Sequence, residues 1–213
     1  MNKTEVLQKI ETGRLVPVIR TSNAADAETL VRAIFAGGVR LFEITLSVPD
    51  ASRVIESLTE EFSGGALVGA GTVLSAKDAE ICIASGAKFI VSPIFDRGII
   101  NVCRARGVAV FPGALTPNEI FTAAASGADA VKVFPASATG GASYLKALRA
   151  VFPEIKLMPT GGVNLETVAD FFRAGAFAVG VGGELADMRI LREQGEEEIT
   201  RRTREFVEKI SAV

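Results

Sequence analysis

The chain reads as an α/β protein, a run of eight β-then-α units, on three observations. Short apolar, β-branched segments recur at intervals of roughly 20–26 residues, room for one strand and one helix each. The stretches between them carry helical patterns, some opening on a capping residue. Several of those stretches end in a glycine directly ahead of the next strand. Eight such units in 213 residues predict a compact (β/α)8 TIM barrel. A doubly wound open sheet shares the local pattern, and the count of eight favours the barrel. Residues 1–213 are expected to form a single domain with a short N-terminal helix, since no linker or low-complexity tract divides them.

In chain order, a leading helix is expected over residues 2–10, where Asn2 and Glu5 stand at capping-box spacing. Strands are predicted over 15–20, 41–46, 67–72, 89–93, 109–115, 130–135, 156–160 and 178–182. Their near-continuous apolar character suits parallel strands buried on both faces. The first intervening helix, 24–35, starts after Asn23, a good N-cap residue. Gly38, Gly86, Gly107, Gly127 and Gly175 stand where left-handed helix C-caps would be. The charged, amphipathic segment 196–210 predicts a terminal helix packed on the outside.

Composition removes several functional classes. At 48% hydrophobic and 23% charged the chain is globular, and a net charge of −2 offers no footprint for nucleic acid or an anionic membrane. Acidic residues come early and no apolar signal core follows Met1, so no secretion signal is expected. No uncharged apolar stretch is long enough to span a bilayer. Cys82 and Cys103 form no CxxC pair and read as buried thiols in a reducing, cytoplasmic setting. The chain has no histidine. That excludes Ser-His and Cys-His triads, histidine acid/base catalysis and histidine-bound zinc. No metal and no cofactor is expected, and Lys, Glu, Asp, Arg, Tyr and the hydroxyl residues must carry any chemistry.

Lys132 stands out in Ala130-Val131-Lys132-Val133-Phe134-Pro135-Ala136. Lysine is almost never fully buried unless paired or used. Burial disfavours an ammonium, and the free amine is the form that attacks a carbonyl, so Lys132 is a candidate Schiff-base lysine. A lysine snorkelling from a strand end, or held in a buried ion pair, would look the same in sequence. Glu43, between Phe42 and Ile44, needs a partner as well, and shares its face of the strand with Thr45. If Glu43 and Lys132 both point into the barrel, they supply an acid/base and a nucleophile.

Other polar residues fall at the C-terminal strand ends, where barrels of this kind place their function: Arg20, Thr72, Ser92-Pro93 and Thr160. Arg20 could equally be a rim cation, and Thr45 a β-branched filler. Two glycine pairs, Gly161-Gly162 and Gly182-Gly183, follow the last two strands. There the backbone could approach a phosphate closely, although such pairs also serve as tight turns. Glu184, next to the second pair, would repel a phosphate if it pointed inward.

Taken in order, Phe42-Glu43-Ile44-Thr45-Leu46, Gly69-Ala70-Gly71-Thr72-Val73, Ile90-Val91-Ser92-Pro93, Phe111-Pro112-Gly113, Val131-Lys132-Val133-Phe134-Pro135-Ala136 and Pro159-Thr160-Gly161-Gly162-Val163 carry a resemblance. Over nearly its whole length the chain resembles the 2-keto-3-deoxy-6-phosphogluconate aldolases, also called 4-hydroxy-2-oxoglutarate aldolases. The resemblance implies a metal-free class I aldolase, a homotrimer, that cleaves a 2-keto-3-deoxy-6-phospho sugar acid to pyruvate and glyceraldehyde 3-phosphate. It extends to 4-hydroxy-2-oxoglutarate, cleaved to pyruvate and glyoxylate.

The resemblance also assigns roles. Lys132 would form the Schiff base and Glu43 would be the general acid/base. Thr72 and Thr160 would line the pyruvate site, Pro93 and Phe134 would pack around it, and Gly161, Gly162, Gly182 and Gly183 would approach the phosphate. Some members carry the carboxylate-binding arginine two residues after the Thr of the second strand, where this chain has Ser47; others carry it at the end of the first strand, here Arg20. Arg20 is therefore the expected carboxylate ligand, a task suited to a guanidinium. Glu184 replaces a serine found in some relatives. Relatives acting on the galactonate epimer or on unphosphorylated 2-keto acids share most of these motifs. A phosphate-binding isomerase or synthase barrel, using Glu43 as base, is the rival enzyme class. A non-catalytic barrel would be expected to lack Lys132 or Glu43, and both are present.

Overall fold

The computed structural model describes residues 1–213. Helix α1 (Lys3–Gly13) leads, with the Asn2–Glu5 capping box formed. The order is then β1 (Leu15–Ile19), α2 (Ala24–Ala36), β2 (Leu41–Thr45), α3 (Ala51–Glu61), β3 (Leu67–Gly71), α4 (Ala76–Ala84), β4 (Phe89–Val91) and α5 (Arg97–Ala105). It continues through β5 (Ala109–Phe111), β6 (Gly113–Ala114), α6 (Pro117–Ala125), β7 (Val131–Val133), a 3₁₀ turn (Ala136–Thr139) and α7 (Ala142–Val151). Last come β8 (Leu157–Pro159), α8 (Val168–Arg173), β9 (Val179–Val181) and α9 (Met188–Ser211). No helix is long and apolar enough to cross a membrane.

The strands pair in parallel as a curled six-stranded sheet, β5-β4-β3-β2-β1-β9, and a three-stranded sheet, β6-β7-β8. This is a TIM-like parallel α/β fold, but the ladder is not one continuous eight-stranded sheet. The strand expected over 109–115 breaks at Pro112, which has no N–H to give a ladder. The Pro112 carbonyl still accepts from Lys132 N at 2.9 Å, and Asp129 N donates to Val110 O at 3.0 Å. On the other side β8 meets β9 through the single bridge Thr160–Gly180.

The glycines expected as C-caps all take positive φ: Gly38 107°, Gly86 99°, Gly107 65°, Gly127 98° and Gly175 92°. Asn23 caps α2 by accepting from Asp26 N. The terminal helix begins earlier than expected, at Met188, and bends at Gly195 (φ 81°, ψ 179°), so the predicted 196–210 segment is its second half. That half packs on α2, where Thr200 Oγ1 donates to Ala33 O at 2.8 Å.

Strand alternation divides the core in two. Outward residues such as Phe42, Ile44, Val68, Ile90, Val131 and Val133 join a cluster of 48 buried residues with the helices. Inward residues Leu41, Leu67, Phe89, Phe111, Met158 and Phe177 form a second cluster of 13, which Val6 and Ile10 of α1 complete. Phe89 and Phe111 lie 5.9 Å apart, and Phe177 meets Phe111 edge-on at 6.4 Å. An apolar aromatic layer therefore fills the interior at the strand N-termini, with α1 closing it. Lys3–Asp129 (2.8 Å) and Lys156–Glu11 (3.0 Å) anchor the helix at the rim.

Both thiols are buried and free. Burial pushes Cys82 up to about 11 and Cys103 up to about 12. Thiolate is the reactive form, so neither is expected to react with an aromatic disulfide reagent at about pH 8, whereas both react after unfolding. A thiol titrating in the native protein would contradict this packing.

Candidate active site

The inward faces of β2 and β7 turn polar one layer above the aromatics. Leu41 lies in the inner cluster and Phe42 and Ile44 face the helices, so Glu43 and Thr45 take the inward side with Leu41. On β7, Ala130 faces in and Val131 and Val133 face out, which aims Lys132 inward. Lys132 is held from both sides, paired with Gly113 of β6 and Met158 of β8.

Glu43 is 0% and Lys132 5% exposed, and Lys132 Nζ lies 3.3 Å from Glu43 Oε1. The chain thus brings together two residues 89 positions apart. Glu43 Oε2 is buried with no hydrogen-bond partner, as is Thr160 Oγ1 at the end of β8. Buried polar atoms left unpaired are costly, and such atoms cluster where a reactant or water completes them. The Phe134 ring centroid stands 5.5 Å from Lys132 Nζ, a cation–π distance.

The remaining expected residues follow the C-terminal ends of the strands. Arg20 follows β1, is exposed, and donates from Nη2 to Thr72 Oγ1 at 3.3 Å. Thr72 follows β3 at φ 55°, left-handed for a β-branched residue, a strain of roughly 1–3 kcal/mol that surrounding contacts must hold. Pro93 is half-buried after β4, its backbone packed on Gly113. Gly161 (φ 93°) and Gly162 (φ 74°) follow β8, and Gly182 and Gly183 follow β9. The Thr160–Gly180 bridge sets these two strand ends side by side. The N–H groups of all four glycines donate to no main-chain acceptor. Around Gly182 and Gly183 an added Cβ would meet nothing within 4 Å. Glu184 is exposed and lines a surface groove together with Gly183, Asp187, Arg189 and Arg202.

A model for the family described as "Aldolase: KDPG and KHG aldolase" matches residues 6–202. The chain belongs to the KDPG and KHG aldolase family. It is therefore a class I aldolase, a carbon–carbon lyase. It is 34% identical over 166 residues to the 2-dehydro-3-deoxy-phosphogluconate aldolase of Treponema pallidum, covering 78% of this chain and 79% of that one. It is 35% identical over 172 residues to the 2-dehydro-3-deoxy-6-phosphogalactonate aldolase of Escherichia coli K12, covering 80% and 83%. Among solved structures, the KDPG aldolase of Legionella pneumophila with pyruvate captured as a covalent carbinolamine superposes with a TM-score of 0.85 at 30% identity, over 93% of this chain and 96% of that one.

Within this aldolase, three residues matter beyond those expected from sequence. A Cβ at Gly71 would overlap the Glu43 carboxylate, so β3 must carry glycine there. A Cβ at Gly180 would likewise overlap Thr160 Oγ1. The Thr45 hydroxyl, fully buried, donates to Ile19 O at 2.9 Å and meets Ser47 Oγ at 2.8 Å. The alternation that selected Glu43 also selected Thr45, but a threonine in a strand is too ordinary to signal a role.

Proposed function

We propose that this aldolase cleaves a 2-keto-3-deoxy-6-phospho sugar acid, 2-dehydro-3-deoxy-6-phosphogluconate first among them, to pyruvate and glyceraldehyde 3-phosphate through a Schiff base on Lys132. The carrying observation is the buried 3.3 Å contact between Lys132 Nζ and Glu43, whose second carboxylate oxygen has no partner. Glu43 takes the Lys132 proton, and the free amine attacks the C2 ketone. Glu43 returns that proton to the carbinolamine hydroxyl, which leaves as water, giving an iminium and a carboxylate ready to act as base. The C3–C4 bond then breaks, its electrons move into the iminium, and Glu43 accepts the C4 hydroxyl proton directly or through a water. The aldehyde leaves, the enamine is protonated at C3 with help from Glu43, and water frees pyruvate.

In this reading Arg20 binds the keto-acid carboxylate, Thr72 and Thr160 line the pyruvate site, and Pro93 and Phe134 flank it. Gly161, Gly162, Gly182 and Gly183 offer their free N–H groups to the phosphate. The galactonate epimer is the second substrate reading, supported by relatives named for it at 35–36% identity. The proposal includes closure of the strands into an eight-stranded barrel, supported by the Pro112 and Thr160–Gly180 links. It also includes one domain, a cytoplasmic setting and a homotrimer, for which exposed Leu74, Ile81, Ile94 and Phe121 supply apolar surface.

Borohydride with pyruvate is expected to trap an adduct that maps to the Lys132 peptide; an adduct elsewhere, or none, refutes the mechanism. Because the iminium is itself the electron sink, EDTA is expected to leave the rate unchanged. Comparing kcat/KM across phosphorylated and unphosphorylated gluconate and galactonate acids decides the substrate.

A further inference from the structure

We infer that Thr45 is a positioning residue for keto-acid binding: its hydroxyl fixes the Ile19 carbonyl and thereby aims Arg20, the next residue, at the substrate carboxylate. The inference rests on the assignment of that carboxylate to Arg20.

Arg20 stands at the open end of β1 and is exposed. Its guanidinium makes one side-chain hydrogen bond, to Thr72 at 3.3 Å, long for an N–H···O bond. So loose an anchor leaves a long, flexible side chain to be aimed chiefly from its backbone. That backbone is held one residue earlier. Ile19 is fully buried and closes β1, and its carbonyl receives the Thr45 hydroxyl at 2.9 Å. The neighbouring main-chain donor, Leu46 N–H, is turned to Gly71 O at 2.8 Å on the opposite side.

A hydroxyl has one proton to give. With that proton committed to Ile19, the 2.8 Å contact between Thr45 and Ser47 is a hydrogen bond donated by Ser47. A relay therefore runs from Ser47 through Thr45 to Ile19 and on to Arg20. It ties the end of β2, which carries Glu43, to the residue that meets the carboxylate. Bound keto acid is thereby set at a fixed reach from Glu43 and Lys132.

A threonine that merely stabilised a strand end would affect melting and nothing else. Thr45→Val keeps the side-chain shape and removes the hydroxyl. Measured in aldol condensation, it is expected to raise the pyruvate KM about fivefold, the size of one neutral hydrogen bond, with kcat within about twofold. Thr45→Ser is expected to restore the KM. In an Arg20→Ala background Thr45→Val is expected to add nothing further, the mark of two residues acting as one unit. Ser47→Ala, on the surface and safe for folding, is expected to raise the KM in the same direction by less. An unchanged KM in Thr45→Val, or an equal increase with and without Arg20, overturns the inference. An unchanged KM in Arg20→Ala overturns the carboxylate assignment instead.

Discussion

Replacing Lys132 with methionine is expected to abolish both borohydride trapping of pyruvate and turnover, a loss on the order of 10⁴-fold or more, as for other residues that form the covalent intermediate. The same change should also cost stability. It leaves Glu43, at 0% exposure, as a buried carboxylate without its counter-ion. Removing one partner of such a pair costs about 3–5 kcal/mol, whereas replacing both with apolar residues is often neutral or better. Thermal melts of Lys132→Met and of Lys132→Met/Glu43→Leu check this directly. The double variant should recover most of the lost stability while staying inactive. If instead the single variant retains measurable aldol cleavage, Lys132 is a structural ion-pair partner and no more.

Glu43→Gln separates covalent bond formation from proton transfer. The amide keeps the shape of the side chain and cannot accept the C4 hydroxyl proton. Pyruvate should still be trapped on Lys132, since borohydride reports the imine whatever its rate of onward reaction. Aldol cleavage should fall about 10²–10⁴-fold, the usual range for one positioned acid/base. Trapping kinetics and steady-state turnover on the same sample provide the measurement. Full turnover in Glu43→Gln would move the acid/base role to another group.

Lys132 and Glu43 were legible because a charged residue within an apolar strand has few ways to exist. Their contact was not, since it depends on where β2 and β7 fall around the curled sheets. The break at Pro112 had a signal in the proline itself, outweighed by the apolar residues on either side. The apolar pattern places Thr72 as the last residue of a strand, whereas its backbone is left-handed there and its hydroxyl accepts from Arg20. Gly71 could not be understood from its own segment, because the group that forbids a side chain is the Glu43 carboxylate. Thr45 stands out in the sequence only as a neighbour of Glu43 on one strand face, because what distinguishes it from a β-branched filler is its partner, the carbonyl of Ile19.

The aromatic layer of Phe89, Phe111 and Phe177, with Val6 and Ile10 of α1 packed against it, fills the interior on the strand N-terminal side of the Lys132–Glu43 pair and leaves substrate the C-terminal side to enter by. For the proposed cleavage, that shape imposes a kinetic order. The keto-acid fragment is bonded to the lysine at the floor, and the aldehyde lies between it and solvent. The aldehyde must depart first and pyruvate second, and in condensation pyruvate must load before the aldehyde. Steady-state inhibition should carry that imprint, with pyruvate competing against the sugar acid and the aldehyde not.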